Sequence, residues 1–259
     1  MSASPMAGSV GLVIGVANKR SIAWAIAKGA NDQGARLVVT HQNDRLGENV
    51  HELAAQLHEP TLLPCDVTNE AQMDELFAAI NAKYGRLDFL VHGVAFADRA
   101  DLDRPFLETS REGFLKALDI SAYSLVTLAR RAAPLMTQGG GGSIVTLSYL
   151  GAERVFPNYN VMGVAKAALE CSVRYLASDL GPSGIRVNAI SAGPIKTLAA
   201  SGISGFSSIL QTYRDRAPLR RTVDTSEVAD AALFLLGPAG RAVTGEVLMV
   251  DGGYHVMGI

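Results

Sequence analysis

Along the chain, short runs that are apolar at nearly every position alternate with longer stretches in which apolar residues recur at helical spacing. The short runs fall at 10–16, 36–40, 61–64, 87–91, 143–147, 186–190 and 246–250 and are rich in Val, Ile and Leu. A strand that is apolar on successive residues is covered on both faces, as parallel strands between helical layers are. Helical periodicity spans 21–33, 44–57, 70–84, 111–136, 158–179 and 225–236. Strand and helix in this order require right-handed crossovers, which predicts one α/β doubly wound parallel sheet of about seven strands with helices on both faces. No Pro- or Ser-rich linker interrupts the pattern, and the glycine run 139–142 is an ordinary helix-to-strand loop. Residues 1–259 therefore read as a single domain.

The segment 191–216 breaks the rhythm. It is rich in Ala, Ser and Gly, with Ile195, Leu198, Ile203, Phe206, Ile209 and Leu210 scattered through it. It follows the sixth strand, where the carboxyl edge of an open sheet builds its ligand crevice. Apolar residues on a purely solvated loop would be hard to justify, so a mobile substrate lid is expected rather than a floppy surface insertion.

Composition narrows the functional classes. The 259 residues are 48% hydrophobic and 19% charged, with a net charge of -2, which gives no electrostatic footprint for nucleic acid or an anionic membrane. No apolar run reaches the roughly 20 residues that span a bilayer. The N-terminus has no basic region before its apolar stretch and does not resemble a signal peptide. Cys65 and Cys171 have no ligand-spaced neighbours, so two buried reduced thiols are expected, without a disulfide or metal site. Together these features predict a cytoplasmic protein.

Candidate nucleotide chemistry clusters at the strand ends. The first strand runs into Gly15-Val-Ala-Asn-Lys-Arg-Ser21-Ile22-Ala23 at a helix start. Phosphate binding needs a tight turn, close backbone approach and free N–H groups there. Gly15 supplies the turn, and Ser21 can cap the helix and offer its hydroxyl to a pyrophosphate. Asp66-Val67 follows the third strand, where a carboxylate can accept from an adenine amino group or simply cap the next helix. Gly93, Val94 and Ala95 follow the fourth, small enough to let a ribose lie against the chain; His92 before them reads as a packed or hydrogen-bonded histidine. The second strand ends in His41-Gln42-Asn43 with no acid at its tip, which leaves NADH and NADPH both open.

The segment from Ser148-Tyr149 to Tyr159-Asn-Val-Met-Gly163-Val-Ala-Lys166 carries the candidate catalytic residues. Tyr159 and Lys166 are seven apart, two helical turns, and project from one face. Gly163 between them leaves that face open to a cofactor. A fixed cation beside a phenol favours the ionised form and strengthens a hydrogen bond to a developing oxyanion.

This spacing, with Tyr149 ten residues upstream, resembles the enoyl-acyl-carrier-protein reductases, the divergent branch of the short-chain dehydrogenase/reductase superfamily. The main branch carries lysine four residues after the tyrosine, where this chain has Gly163. Gln42-Asn43-Asp44, Ser191-Ala-Gly-Pro-Ile195-Lys-Thr197 and Asp251-Gly-Gly253 agree, so the likeness covers nearly the whole chain.

The resemblance implies a Rossmann-type fold and reduction of the trans-2 double bond of an enoyl thioester by NADH, in fatty acid biosynthesis. It assigns Tyr159 to the enolate oxygen, Lys166 to the nicotinamide ribose, Tyr149 to the thioester end of the pocket, and Ile195 and Thr197 to the cofactor's carboxamide and phosphates. It implies that Gln42 favours NADH, that Ile22 and Val67 contact the cofactor, that Ala95 contacts substrate, and that Gly93 stands where relatives have serine. It further implies acyl carrier protein as partner and a homotetramer, for which the apolar stretch 245–259 would supply an interface. A ketoreductase, favouring the four-residue spacing, and a non-catalytic dinucleotide sensor are the rival readings.

Overall fold

The computed structural model describes residues 4–258; the first three residues and Ile259, the end of the 245–259 stretch, lie outside that range. Its strands are β1 (Val10–Ile14), β2 (Arg36–His41), β3 (Thr61–Pro64), β4 (Phe89–His92), β5 (Gly142–Ser148), β6 (Ile185–Ala192) and β7 (Val247–Val250). They form one parallel sheet in the order β3-β2-β1-β4-β5-β6-β7. The helices are α1 (Ile22–Asp32), α2 (Asp44–Ala54), α3 (Glu70–Tyr84), α4 (Arg99–Asp103), α5 (Arg111–Leu118), α6 (Ser124–Gln138), α7 (Asn160–Leu180), α8 (Phe206–Arg216) and α9 (Thr225–Leu236).

Burial explains why the strands read as unbroken apolar runs. One side of the sheet is closed by Trp24 and Ile26 of α1, Val50 of α2 and Leu235 of α9. The other is closed by Met73 and Leu76 of α3, Leu125 and Leu128 of α6, and Leu169 and Val173 of α7. A third, smaller cluster around Leu102, Tyr159, Val161 and Met162 lies beyond the sheet edge and underlies the site.

Three departures from the periodicity are local. The continuous helix expected at 111–136 is α5 and α6 joined by a π-helical turn, Asp119–Tyr123. The extra residue of that turn points Ser121 at the Phe96 backbone, where its hydroxyl donates to the carbonyl at 3.1 Å and accepts from the amide at 2.9 Å. The short α4 has too few residues to show a period. Within 191–216 the chain forms a 3₁₀ turn, Ala199–Gly202, and then α8, so the segment expected as a lid is largely helical although its sequence showed no clear period. Among the described residues no helix is long and apolar enough to cross a membrane, and no cluster of His, Cys, Asp and Glu could hold a metal ion. Both cysteines are free thiols; Cys65 is buried, but Cys171 is only half-buried, contrary to expectation.

Candidate active site

The strand order reverses direction between β1 and β4, so the loops leaving those two strands diverge and open a crevice. Ile14 pairs with His92 across this point, so the strands end level and continue as Gly15 and Gly93. Gly15 has φ +103°, and a Cβ there would stand 2.2 Å from the Gly93 carbonyl oxygen. Only glycine passes at that position. Above the strand ends lies a cavity of about 780 Å³.

The half of it over the first four strands is lined by Gly15, Ser21 and Ile22 after β1, Gln42 after β2, Asp66 and Val67 after β3, and Gly93 after β4. The Ser21 hydroxyl does not cap α1: it accepts from the Ala17 and Asn18 amides at 3.1 Å each and so shapes the loop instead. By contrast α2, α3, α5 and α9 are capped by the side chains of Asn43, Asn69, Ser110 and Asp224. The N-terminus of α1, which opens on the crevice, has no side-chain cap and leaves its positive end open to an anion.

Asp66 is no helix cap either, since Asn69 takes that role. One Asp66 oxygen accepts from the Thr68 amide and hydroxyl, and the other accepts from Gln42 Nε2 at 3.1 Å. Burial opposes ionisation, but these hydrogen bonds from Thr68 and Gln42 hold the carboxyl below its ordinary value. The fold thus brings an acid to the tip of the second strand, where the local sequence has none.

In the other half, Ala95, Tyr149, Tyr159 and Lys166 converge with Ile195 and Thr197 on the same cavity. Tyr159 stands at the N-cap of α7 and Lys166 two turns in, both buried. The asparagines either side of Tyr159 hold left-handed backbone, Asn158 at φ +61° and Asn160 at φ +35°. Each is tied down through its amide: Asn158 Nδ2 donates to Ser204 O at 2.9 Å, and Asn160 Nδ2 to Leu102 O at 2.8 Å and to Arg104 O. Asparagine tolerates this conformation better than most residues, so the Asn-Tyr-Asn sequence aims the phenol. Tyr149 packs edge-on against it with ring centroids 5.1 Å apart, and Phe156 flanks Tyr149 at 4.9 Å.

The electrostatics differ from expectation. Lys166 Nζ donates to the Leu147 carbonyl at 2.7 Å and makes no hydrogen bond to Tyr159. Burial pulls the Lys166 ammonium down to about 8, partly offset by the Glu170 carboxylate one turn on. Burial, with Tyr149 and Glu170 adding to it, holds the Tyr159 phenol well above its ordinary value, so it stays a neutral hydrogen-bond donor. His92 is fully buried between Thr146 Oγ1 and Ser124 Oγ, each at 2.8 Å. Burial and then the nearby Lys166 charge push it down to about 3. It is a neutral packed histidine, as its sequence context implied.

Gly163 serves packing rather than cofactor clearance. It does not line the cavity, and a Cβ there would stand 2.7 Å from the Gly151 carbonyl oxygen. A lysine four residues after Tyr159 would have no room.

Sequence reasoning missed the aiming asparagines, the Ser148–Glu170 hydrogen bond of 2.5 Å behind the tyrosines, and Phe96 and Met162 in the cavity wall. Only the asparagine pair left a signal, in its tolerance of left-handed backbone.

The family model described as enoyl-(acyl carrier protein) reductase matches residues 15–255. The Bacillus subtilis enoyl-acyl-carrier-protein reductase (NADH) is 54% identical, over 95% of this chain and 95% of its own. The crystal structure of the Anaplasma phagocytophilum reductase in complex with NAD superimposes with a TM-score of 0.95 at 49% identity, covering 100% of this chain and 98% of that one. The Bacillus cereus reductase with NADP+ and an indole naphthyridinone gives 0.96 at 53% identity, covering 98% and 99%. With the glycine crossing at the switch point, the Tyr149–Tyr159 pair and Lys166 all on one cavity, these likenesses show that the chain belongs to the enoyl-acyl-carrier-protein reductase family.

Proposed function

We propose that this chain reduces the trans-2 double bond of enoyl thioesters presented by acyl carrier protein, using NADH, as a step of fatty acid biosynthesis. The observation that carries the reading is the meeting of Tyr149, Tyr159 and Lys166 with an uncapped helix N-terminus on one cavity. The residues present fit the nucleotide: α1 offers free first-turn N–H groups, and the Gly15–Gly93 crossing leaves the backbone bare of side chains. Ser21 and Ile22 at that turn, Thr197 and Ile195 on the opposite wall, Asp66 and Val67 at the adenine end and Lys166 at the ribose would hold it. The bound nucleotide supplies the hydride that adds to the β-carbon of the substrate.

Charge then develops on the thioester oxygen and is discharged when the α-carbon takes up a proton from solvent, which completes the reduction. Tyr159, neutral and held by its flanking asparagines, donates to that oxygen as a preorganised donor, worth most once the bound ligands have displaced water. Tyr149 lines the thioester end and Ala95 the acyl side. Lys166, fixed by Leu147 O, presents its remaining N–H groups to ribose hydroxyls. The Asp66 carboxylate at Gln42 disfavours a 2′-phosphate, which supports NADH over NADPH.

The segment 191–216 acts as a substrate lid: Ile203, Phe206 and Ile209 face the cavity, while Leu210 and Tyr213 pack inward. The remainder of the assignment is one domain over 1–259, a cytoplasmic setting and a homotetramer. Exposed Leu115, Tyr123 and Tyr175 on α5, the π-turn and α7 offer an apolar face in addition to the C-terminal stretch.

Mixing the purified protein with NADH and a crotonyl thioester tests the reading. Loss of nicotinamide absorbance dependent on the thioester is expected; oxidation of NADH by a β-ketoacyl thioester instead would establish a ketoreductase.

A further inference from the structure

Tyr213 lies on the inner face of α8 and is 1% exposed. Its hydroxyl and that of Tyr149 are both buried, and neither has a hydrogen-bond partner among the described residues. The two phenols are nonetheless near enough to perturb one another. Tyr149 lines the large cavity and Tyr213 a second one, of about 560 Å³, and Ile209 of α8 lines both, so the two cavities adjoin at α8.

The Tyr213 ring is fixed from behind by Tyr254, stacked at 3.8 Å and 18°. Tyr254 in turn sits on a turn pinned by the buried Asp251, whose carboxylate accepts from the Gly253 amide, the His255 amide and His255 Nδ1. A buried hydroxyl with no partner is destabilising, and two such groups side by side relieve each other.

We propose that Tyr213 is a positioning residue for Tyr149: its hydroxyl is the partner that orients the Tyr149 phenol toward the thioester and keeps the ring edge-on to Tyr159. A phenol that accepts a hydrogen bond keeps its own proton free and becomes a stronger donor. Because Tyr213 rides on α8, the seating of that helix and the orientation of Tyr149 are one event. The inference rests on the reading of Tyr149 as the thioester-end residue.

A double-mutant cycle tests it with Tyr213→Phe, which keeps the ring and its stack on Tyr254, with Tyr149→Phe, and with the pair. Tyr213→Phe should lower kcat for crotonyl thioester about fivefold, the rate equivalent of one neutral hydrogen bond, and leave KM for NADH unchanged. In the Tyr149→Phe background the same change should have almost no effect on kcat. Melting gives a readout independent of turnover. Each single variant orphans one hydroxyl and should lower Tm by about 2–4 °C, whereas the double variant returns to the parent value. Equal losses of kcat in both backgrounds, or additive losses of Tm, would overturn the proposal. If the parent protein failed to reduce the thioester, the functional reading would fall, while the melting cycle would still decide the pairing.

Discussion

Replacing Lys166 by methionine should make the nucleotide-free protein more stable. The side chain is 6% exposed, and its ammonium falls from 10.5 to about 8 because burial strips its hydration. At about 1.4 kcal/mol per tenfold, holding the charged form in place costs about 3 kcal/mol at pH 7. Methionine removes that charge at similar volume but loses the charge-assisted bond to the Leu147 carbonyl, worth about 2 kcal/mol. A net gain of about 1 kcal/mol remains, or roughly 2–4 °C in Tm for a chain of this size. The pH dependence follows from linkage. Between about 8 and 10.5 the unfolded chain binds the proton that the folded chain has released, so the parent protein gains stability with rising pH across that window. The penalty is full below about 8 and gone above 10.5, so the advantage of Lys166→Met should be largest at pH 7 and shrink by pH 10. Thermal unfolding of both proteins at the two pH values, without nucleotide, measures this. A variant less stable than the parent at pH 7, or an advantage independent of pH, would refute the reasoning. The same variant should bind NADH far more weakly, which would show stability given up for the cofactor site.

Tyr159→Phe should lower kcat about 100- to 1000-fold with NADH affinity unchanged, because only a transition-state donor is lost; titration of NADH fluorescence alongside turnover separates the two effects. The parent should have a higher kcat/KM with NADH than with NADPH, and Asp66→Asn should narrow that ratio about fivefold, the weight of one nearby solvent-screened charge; an unchanged ratio would remove Asp66 from the discrimination. Hydrogen exchange across 198–210 should be fast in the nucleotide-free protein and slow when NADH and an apolar ligand are both bound, since Gly202 and Gly205 make the ordered segment entropically demanding. Strong protection without ligand would mean that the segment is permanently packed.

The sheet and its helices were legible in the sequence because burial on both faces imposes unbroken apolar strands, and burial on one face imposes helical period. The spacing of Tyr149, Tyr159 and Lys166 was legible too, being local to one loop and one helix. What the chain could not show locally were contacts between residues far apart. Asp66 reaches Gln42 only because β2 and β3 are neighbours, which supplies the acid that the second strand's tip lacks. Ser21 looked like a cap until the Ala17 and Asn18 amides claimed its hydroxyl. Lys166 beside Tyr159 suggested an acidic phenol, whereas burial of both groups and the Leu147 carbonyl give a neutral donor and a weakened ammonium. Gly163 suggested clearance for a cofactor, but the turn at Gly151 occupies that side. Periodicity and spacing follow from the backbone's own geometry and can be read in one dimension. Desolvation and long-range hydrogen bonding depend on what the fold packs against each group, and those only the tertiary structure decides.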